Sequence, residues 1–339
     1  MYQDVRFSNG CYRVAGADVG DATAIEKTLQ AQTAEWNGIL RMVSESDARQ
    51  VQPTYMAIRT AFTPMTKFGY HFQCQPIELT NDLATTTREA LLTAFANLIA
   101  TPRSELTDAP ESRAIIHRIF TPVENGGIGF ADPDLDRVLA FGASIINTLP
   151  LLLANSILRP TILDSKNWPT SDSDTLRDAH SILMYMAQLI QDEVERRGVE
   201  EPATIVGQAL VNSGTAGGTI HVEELAAVAH KHAQRTLASY FYPNNTALHQ
   251  EQHEWDQIAL IAKNGTTGRG SGALASMYVI TTDTKLSNDQ AIFWLCHLLG
   301  LELPFRGVNP SCHQACNSAG TGRVGPNHQH YALMRHGIH

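Results

Sequence analysis

A mainly α-helical, two-lobed protein is expected from three features of this sequence. Long stretches carry apolar residues at helical spacing, strand signals are nearly confined to the N-terminus, and the tail beyond Pro304 has little periodicity. With 43% hydrophobic and 17% charged residues among 339, the chain is neither a disordered tail nor a coiled coil, and it can bury a sizeable core.

The first element is a hairpin signal, Val5-Arg-Phe-Ser-Asn-Gly-Cys-Tyr-Arg-Val14, in which apolar positions alternate around Asn9-Gly10, a pair suited to a type I′ turn. Helices are then expected over about 21–44, 81–100, 110–120, 134–158, 172–197, 221–240, 246–262 and 287–301. Ser287-Asn-Asp-Gln290 reads as a capping box. Ser171 and Asp174 suggest another, for a helix closed by Gly198. Ala275–Thr281 is the other strand candidate. The segments Thr161–Thr170, Asn212–Ile220 and Lys263–Gly272 read as loops, the second leading into a helix start with Glu223 and Glu224 in its first turn. The resulting division is an N-terminal arm and hairpin over 1–20, a helical lobe over 21–160, a second lobe over 171–303 and an extended C-terminal arm over 304–339.

Val138–Leu158 contains no charged residue and is long enough to cross a membrane. Asn147, Pro150 and Asn155 interrupt it, so a buried core helix with a bend is the expected outcome, and no membrane contact is anticipated. The start of the chain lacks a basic segment followed by an apolar one, so a cytosolic protein is expected.

Charge is unevenly spread. Residues 1–230 hold 17 Lys and Arg against 28 Asp and Glu, whereas residues 231–339 hold 8 against 6 and nine of the 14 His. A nucleic-acid contact therefore belongs mainly in the last third, and the net charge of −9 argues against a non-specific duplex-DNA binder. Five cysteines, Cys11, Cys74, Cys296, Cys312 and Cys316, form no secreted-type framework.

Gly265-Thr-Thr-Gly-Arg-Gly-Ser-Gly272 lacks the Lys that a phosphate-binding loop places after its second glycine, so nucleotide hydrolysis is excluded. What remains is a surface loop whose Lys263 and Arg269 can meet an anion. His249 and His253 share a helical face, but Gln250 stands where a metalloprotease needs Glu. Cys312/Cys316 and His328/His330 have no second cysteine pair to complete a zinc site. Asp132, Asp134 and Asp136 read as an acidic turn with a helix N-cap. No catalytic residue, metal ligand or cofactor is assigned.

Residues 218–243 read Gly-Thr-Ile-His-Val-Glu-Glu-Leu-Ala-Ala-Val-Ala-His-Lys-His-Ala-Gln-Arg-Thr-Leu-Ala-Ser-Tyr-Phe-Tyr-Pro. A helix here turns Leu225, Val228, Leu237 and Tyr240 to a core and sets Lys231 and Arg235 one turn apart. A Leu-Ala helix leading to Arg235 and then Tyr240-Phe241 resembles the core of coat proteins from flexible filamentous plant viruses. The arm–lobe–lobe–arm order is similar to that of nucleoproteins of negative-strand RNA viruses. Both resemblances imply a capsid protein, found in the virion or host cytoplasm, that self-associates into an oligomer or filament along single-stranded RNA. Lys231, Arg235, Lys263, Arg269 and Arg306 would then face phosphates, with Tyr240 or Phe241 stacking on bases or, preferably, packing in the core. The competing classes are a soluble all-α enzyme or metal-binding protein using the His-rich last third, and a helical scaffold that binds only protein.

Overall fold

The computed structural model describes residues 11–14, 17–46, 50–108, 112–122, 127–197, 204–215, 219–229, 233–241, 286–299 and 301. Of these, 78% are helical. Strands β1 (Cys11–Val14) and β2 (Ala17–Gly20) pair antiparallel, with Val14 opposite Ala17. The connection is therefore Ala15-Gly16. The pairing expected around Asn9-Gly10 would use the residues before Cys11, which lie outside the described residues.

Helices follow as α1 (Ala22–Glu45), α2 (Val51–Thr60), α3 (Pro64–Cys74), α4 (Asn81–Leu98), α5 (Arg103–Thr107), α6 (Ser112–Phe120) and α7 (Pro133–Ala154). Then come α8 (Arg159–Leu163), a 3₁₀ turn (Ser165–Thr170), α9 (Asp174–Arg197), α10 (Ile205–Thr215), α11 (Val222–Ala227), α12 (Ala233–Phe241) and α13 (Asn288–Leu299). Two compact units divide the chain, one drawn from Met1–Trp36, Pro64–Arg88 and Asp132–Pro243, the other from Asn37–Thr63, Glu89–Ala131 and Asn244–His339.

In the first unit α7 is the central element, packed against α3, α9, α11 and α12. Asp132 caps it, accepting from Asp134 N–H at 3.1 Å, and Pro133 occupies the first helical position, where its missing N–H costs nothing. Val138, Leu139, Ile146 and Leu149 form its buried stripe and meet Ile182, Leu183, Met186 and Ile190 of α9. Among the described residues α7 is the one helix whose length and composition would allow it to cross a membrane. Its buried stripe fits the core-helix expectation. The helix stops four residues earlier than expected because Asn155 Oδ1 accepts from the N–H groups of Ile157 and Leu158, at 3.0 and 3.2 Å, in a side-chain-closed turn.

Several expectations need correction. Thr161–Thr170 is not an open loop: α8 and the 3₁₀ turn occupy it, Trp168 and Ser165 are buried, and Ser165 Oγ donates to Ile220 O at 2.7 Å. Asn212–Thr215 belongs to α10, where Ser213 Oγ donates to Ala209 O at 3.0 Å. Ser171 Oγ accepts from Ser173 N–H at 3.1 Å and so caps a turn ahead of α9. The Ser287 box is formed as expected, with reciprocal bonds to Gln290 of 3.2 and 3.0 Å.

The hairpin sits on the first unit through Asp18, a buried residue. Its carboxylate accepts from Gln32 Nε2 at 3.4 Å and lies 3.9 Å from His71 Nε2, while Gln75 Nε2 donates to its carbonyl. In the second unit Tyr55 stacks on Phe130 at 6.0 Å and Phe95 meets Phe130 edge-on at 5.6 Å. Tyr55 Oη donates to Ile128 O at 2.6 Å, and burial pushes its hydroxyl up to about 12. Val51 N–H, at the start of α2, donates to Asn288 Oδ1 at 2.9 Å, and Leu286 N–H donates to Gln52 Oε1 at 2.8 Å.

Candidate functional site

The segment with the family resemblance folds as two helices. The single helix expected over 221–240 ends its first part at Ala227, and Val228 N–H closes the turn on Glu224 O at 3.3 Å. α11 starts as read, with Glu223 and Glu224 in its first turn, where carboxylates complement the exposed N–H groups. Asn212 Nδ2 donates to Glu224 Oε1 at 2.9 Å, His221 Nδ1 lies 3.8 Å from Glu224 Oε2, and Arg159 Nη2 lies 3.7 Å from Glu223 Oε1. Each carboxylate thus has a partner within the chain.

In α12 Ala233 and Leu237 are fully buried and Phe241 packs against the same core, which supports the core role expected for this aromatic. At about 100° per residue the backbone sets position 235 on the side of α12 opposite Ala233 and Leu237. The side chains of Arg235 and Tyr240 lie outside the described set. So do Lys231, Lys263, Arg269 and Arg306, the residues His249, His253, Cys312, Cys316, His328 and His330, the helix expected over 246–262 and the strand over Ala275–Thr281.

At the start of α7, Arg88 Nε lies 3.1 Å from Asp132 Oδ1 and 3.6 Å from Asp134 Oδ2. Burial raises the Asp132 carboxyl above its ordinary range, against the lowering effect of Arg88. Burial, and then the Asp132 charge, push Asp136 up to about 7. Nearby, Arg137 donates to Ile77 O at 2.8 Å and to Asn81 Oδ1 at 2.9 Å, tying α7 to the loop before α4. The arrangement is a helix cap with a neutralising arginine, in line with the acidic-turn reading. Cys296 is buried and its thiol pushed up to about 12, a state without nucleophilic character at neutral pH. Among the described residues no group of three or more His, Cys, Asp or Glu is placed to hold a metal ion.

One feature escaped the sequence reading. The apolar stretch through Leu158 is expected to form a buried core helix with a bend, yet after Leu149 only Leu152 and Leu153 keep packing against the core, each partly buried. Leu151 is 73% exposed, Ile157 83%, Leu158 41% and, in α8, Leu163 38%. The available signal was the Pro150/Asn155 pair, which ends the helix and with it the periodic burial. Comparison with known protein families, curated proteins and solved structures finds no match to this chain.

Proposed function

We propose that this chain is a viral coat or nucleocapsid protein that self-assembles and encapsidates single-stranded RNA through phosphate contacts, acting in the virion and host cytoplasm. The partition of charge carries the reading, with cations outnumbering carboxylates only after residue 230. The described arginines before that point favour it too. Arg88, Arg103, Arg159 and Arg177 lie against carboxylates, and Arg137 donates to Ile77 O and Asn81. These five are engaged inside the chain, and we assign Lys231, Arg235, Lys263, Arg269 and Arg306, all in the last third, to the phosphates. Position 235, facing away from the core side of α12, suits that role.

Replacing both Arg235 and Arg269 with Ala is expected to weaken all single-stranded RNA sequences alike and to lower the salt slope of binding by roughly 1 to 2 units. Fluorescence anisotropy with labelled RNA at several salt concentrations reads this directly. Equal affinity and equal slope would remove both arginines from the interface. No measurable binding by the wild-type protein would end the encapsidation reading.

A further inference from the structure

We infer that residues 5–8 of this chain, a segment outside the described residues, dock on the outer edge of β1. The chain turns back at Asn9-Gly10, and the hairpin becomes a three-stranded antiparallel meander with β1 in the centre. Among the described residues the sheet has two strands, so each of them has one outer edge. The register tells the two edges apart. Val14 stands opposite Ala17 across a two-residue link, and such a link closes on a pair that exchanges backbone hydrogen bonds. Pairs alternate along an antiparallel ladder, so Tyr12 and Val19 bond to each other in the same way. Arg13 opposite Asp18, and Cys11 opposite Gly20, then turn their N–H and C=O groups outward. The Asp18 carbonyl fits this alternation, because Gln75 Nε2, from the residue after α3, donates to it. That bond, with Asp18 itself buried and β2 packed on α3, closes the outer edge of β2. The edge left is that of β1, and its outward groups are the N–H and C=O of Cys11 and Arg13.

Turn chemistry, parity and side-chain pattern all select residues 5–8 for that edge. Asn9-Gly10 directly precedes β1 and is a preferred pair for a two-residue type I′ turn, whose central residues both need positive φ. A two-residue turn there makes Ser8 opposite Cys11 and Arg6 opposite Arg13 the hydrogen-bonded pairs. Cys11 and Arg13 are the residues whose backbone groups the β2 pairing leaves outward. A loop one residue longer would close on Tyr12, whose groups already bond to Val19. The same register sets positions 5 and 7, Val and Phe, on the face of positions 12, 14 and 19, Tyr, Val and Val. Positions 6 and 8 join the face of Arg13 and Asp18, and a slip of one residue would mix the two sets. Arg6 beside Arg13 is an unfavourable neighbour, which Asp18 in the same row offsets. A strand from a second copy could make the same bonds, but it must displace a segment tied to β1 by two residues. At roughly millimolar effective concentration, that tethered segment holds the edge.

Amide hydrogen exchange, read residue by residue by NMR on the full chain, tests the pairing without reference to RNA. The Arg6, Ser8, Cys11 and Arg13 amides should exchange slowly and the Phe7 amide, which points away from β1, fast. Tyr12, bonded to β2, is the internal standard for an intact hairpin. Gly10→Val places a β-branched residue where φ must be positive. It should speed exchange at Cys11 and Arg13 roughly tenfold or more, with Tyr12 and the helical circular dichroism unchanged. Arg6→Pro deletes an N–H that bonds to Arg13 and should have the same effect, whereas Val5→Pro deletes one that points outward and should leave both amides protected. Cys11 and Arg13 amides that exchange as fast as Phe7 in the wild type would overturn the inference. So would protection that survives both Gly10→Val and Arg6→Pro. Protection that fades on dilution would give the edge to a second copy and overturn the assignment to the chain's own segment.

Discussion

At Asp136 the crowding of three carboxylates into the first turns of α7 becomes measurable. Burial and the neighbouring Asp132 hold its carboxyl at about 7, against an ordinary 3.8. A raised pKa means that folding favours the protonated form. The stabilisation is complete below the ordinary pKa, falls as pH rises, and is gone above about 7. Asp136→Asn removes the titration while keeping the shape. Because part of the side chain still meets water, the variant should gain a moderate ~1–2 kcal/mol at pH 8 and nothing at pH 4. Urea melts at pH 4, 6 and 8 would show it, and a pH-independent difference would contradict it. The Asp-Pro start of this helix was legible because capping is local chemistry. The shift at Asp136 was not, because it depends on what the fold packs around the carboxyl.

Among the elements, α7 and α9 meet at a close approach. A Cβ on Gly142 would overlap Met186 Sδ, and Met186 is buried. Ala is the better helix former by about 1 kcal/mol, but displacing a packed side chain costs roughly 1–3 kcal/mol. Gly142→Ala should therefore lose about 1 kcal/mol net in a denaturant melt. Combined with Met186→Ala it should cost less than the sum of the two single changes, and strict additivity would disprove the contact. Helix existence followed the same division between local and distant causes. α1, α4, α6, α7 and α9 announced themselves by period, and Pro64 at the first position of α3 was a usable signal that the reading passed over. The second helix offered none. Gln50 gives no side-chain cap, and the first N–H of α2 is satisfied by Asn288, far along the chain.

Over the whole molecule, the two compact units interleave three segments each, so neither follows simply from one stretch of sequence. Removing residues 306–339 tests the role of the tail at this scale. Its lack of an apolar period predicts that helical circular dichroism and the melting temperature stay near wild type, while self-association falls in light scattering. Collapse of the helical signal would make the tail part of the folded body.

By itself the sequence determined the helical class, the caps at Asp132 and Ser287, the carboxylates at the start of α11 and the displacement of cations to the last third. Each is set by residues within a turn or two of one another, or by composition alone. Only the tertiary structure decided the burial of Trp168 and the distant cap on α2. Those outcomes depend on partners brought together from distant segments. A local stretch of sequence carries no mark that says which distant segment its side chains will meet.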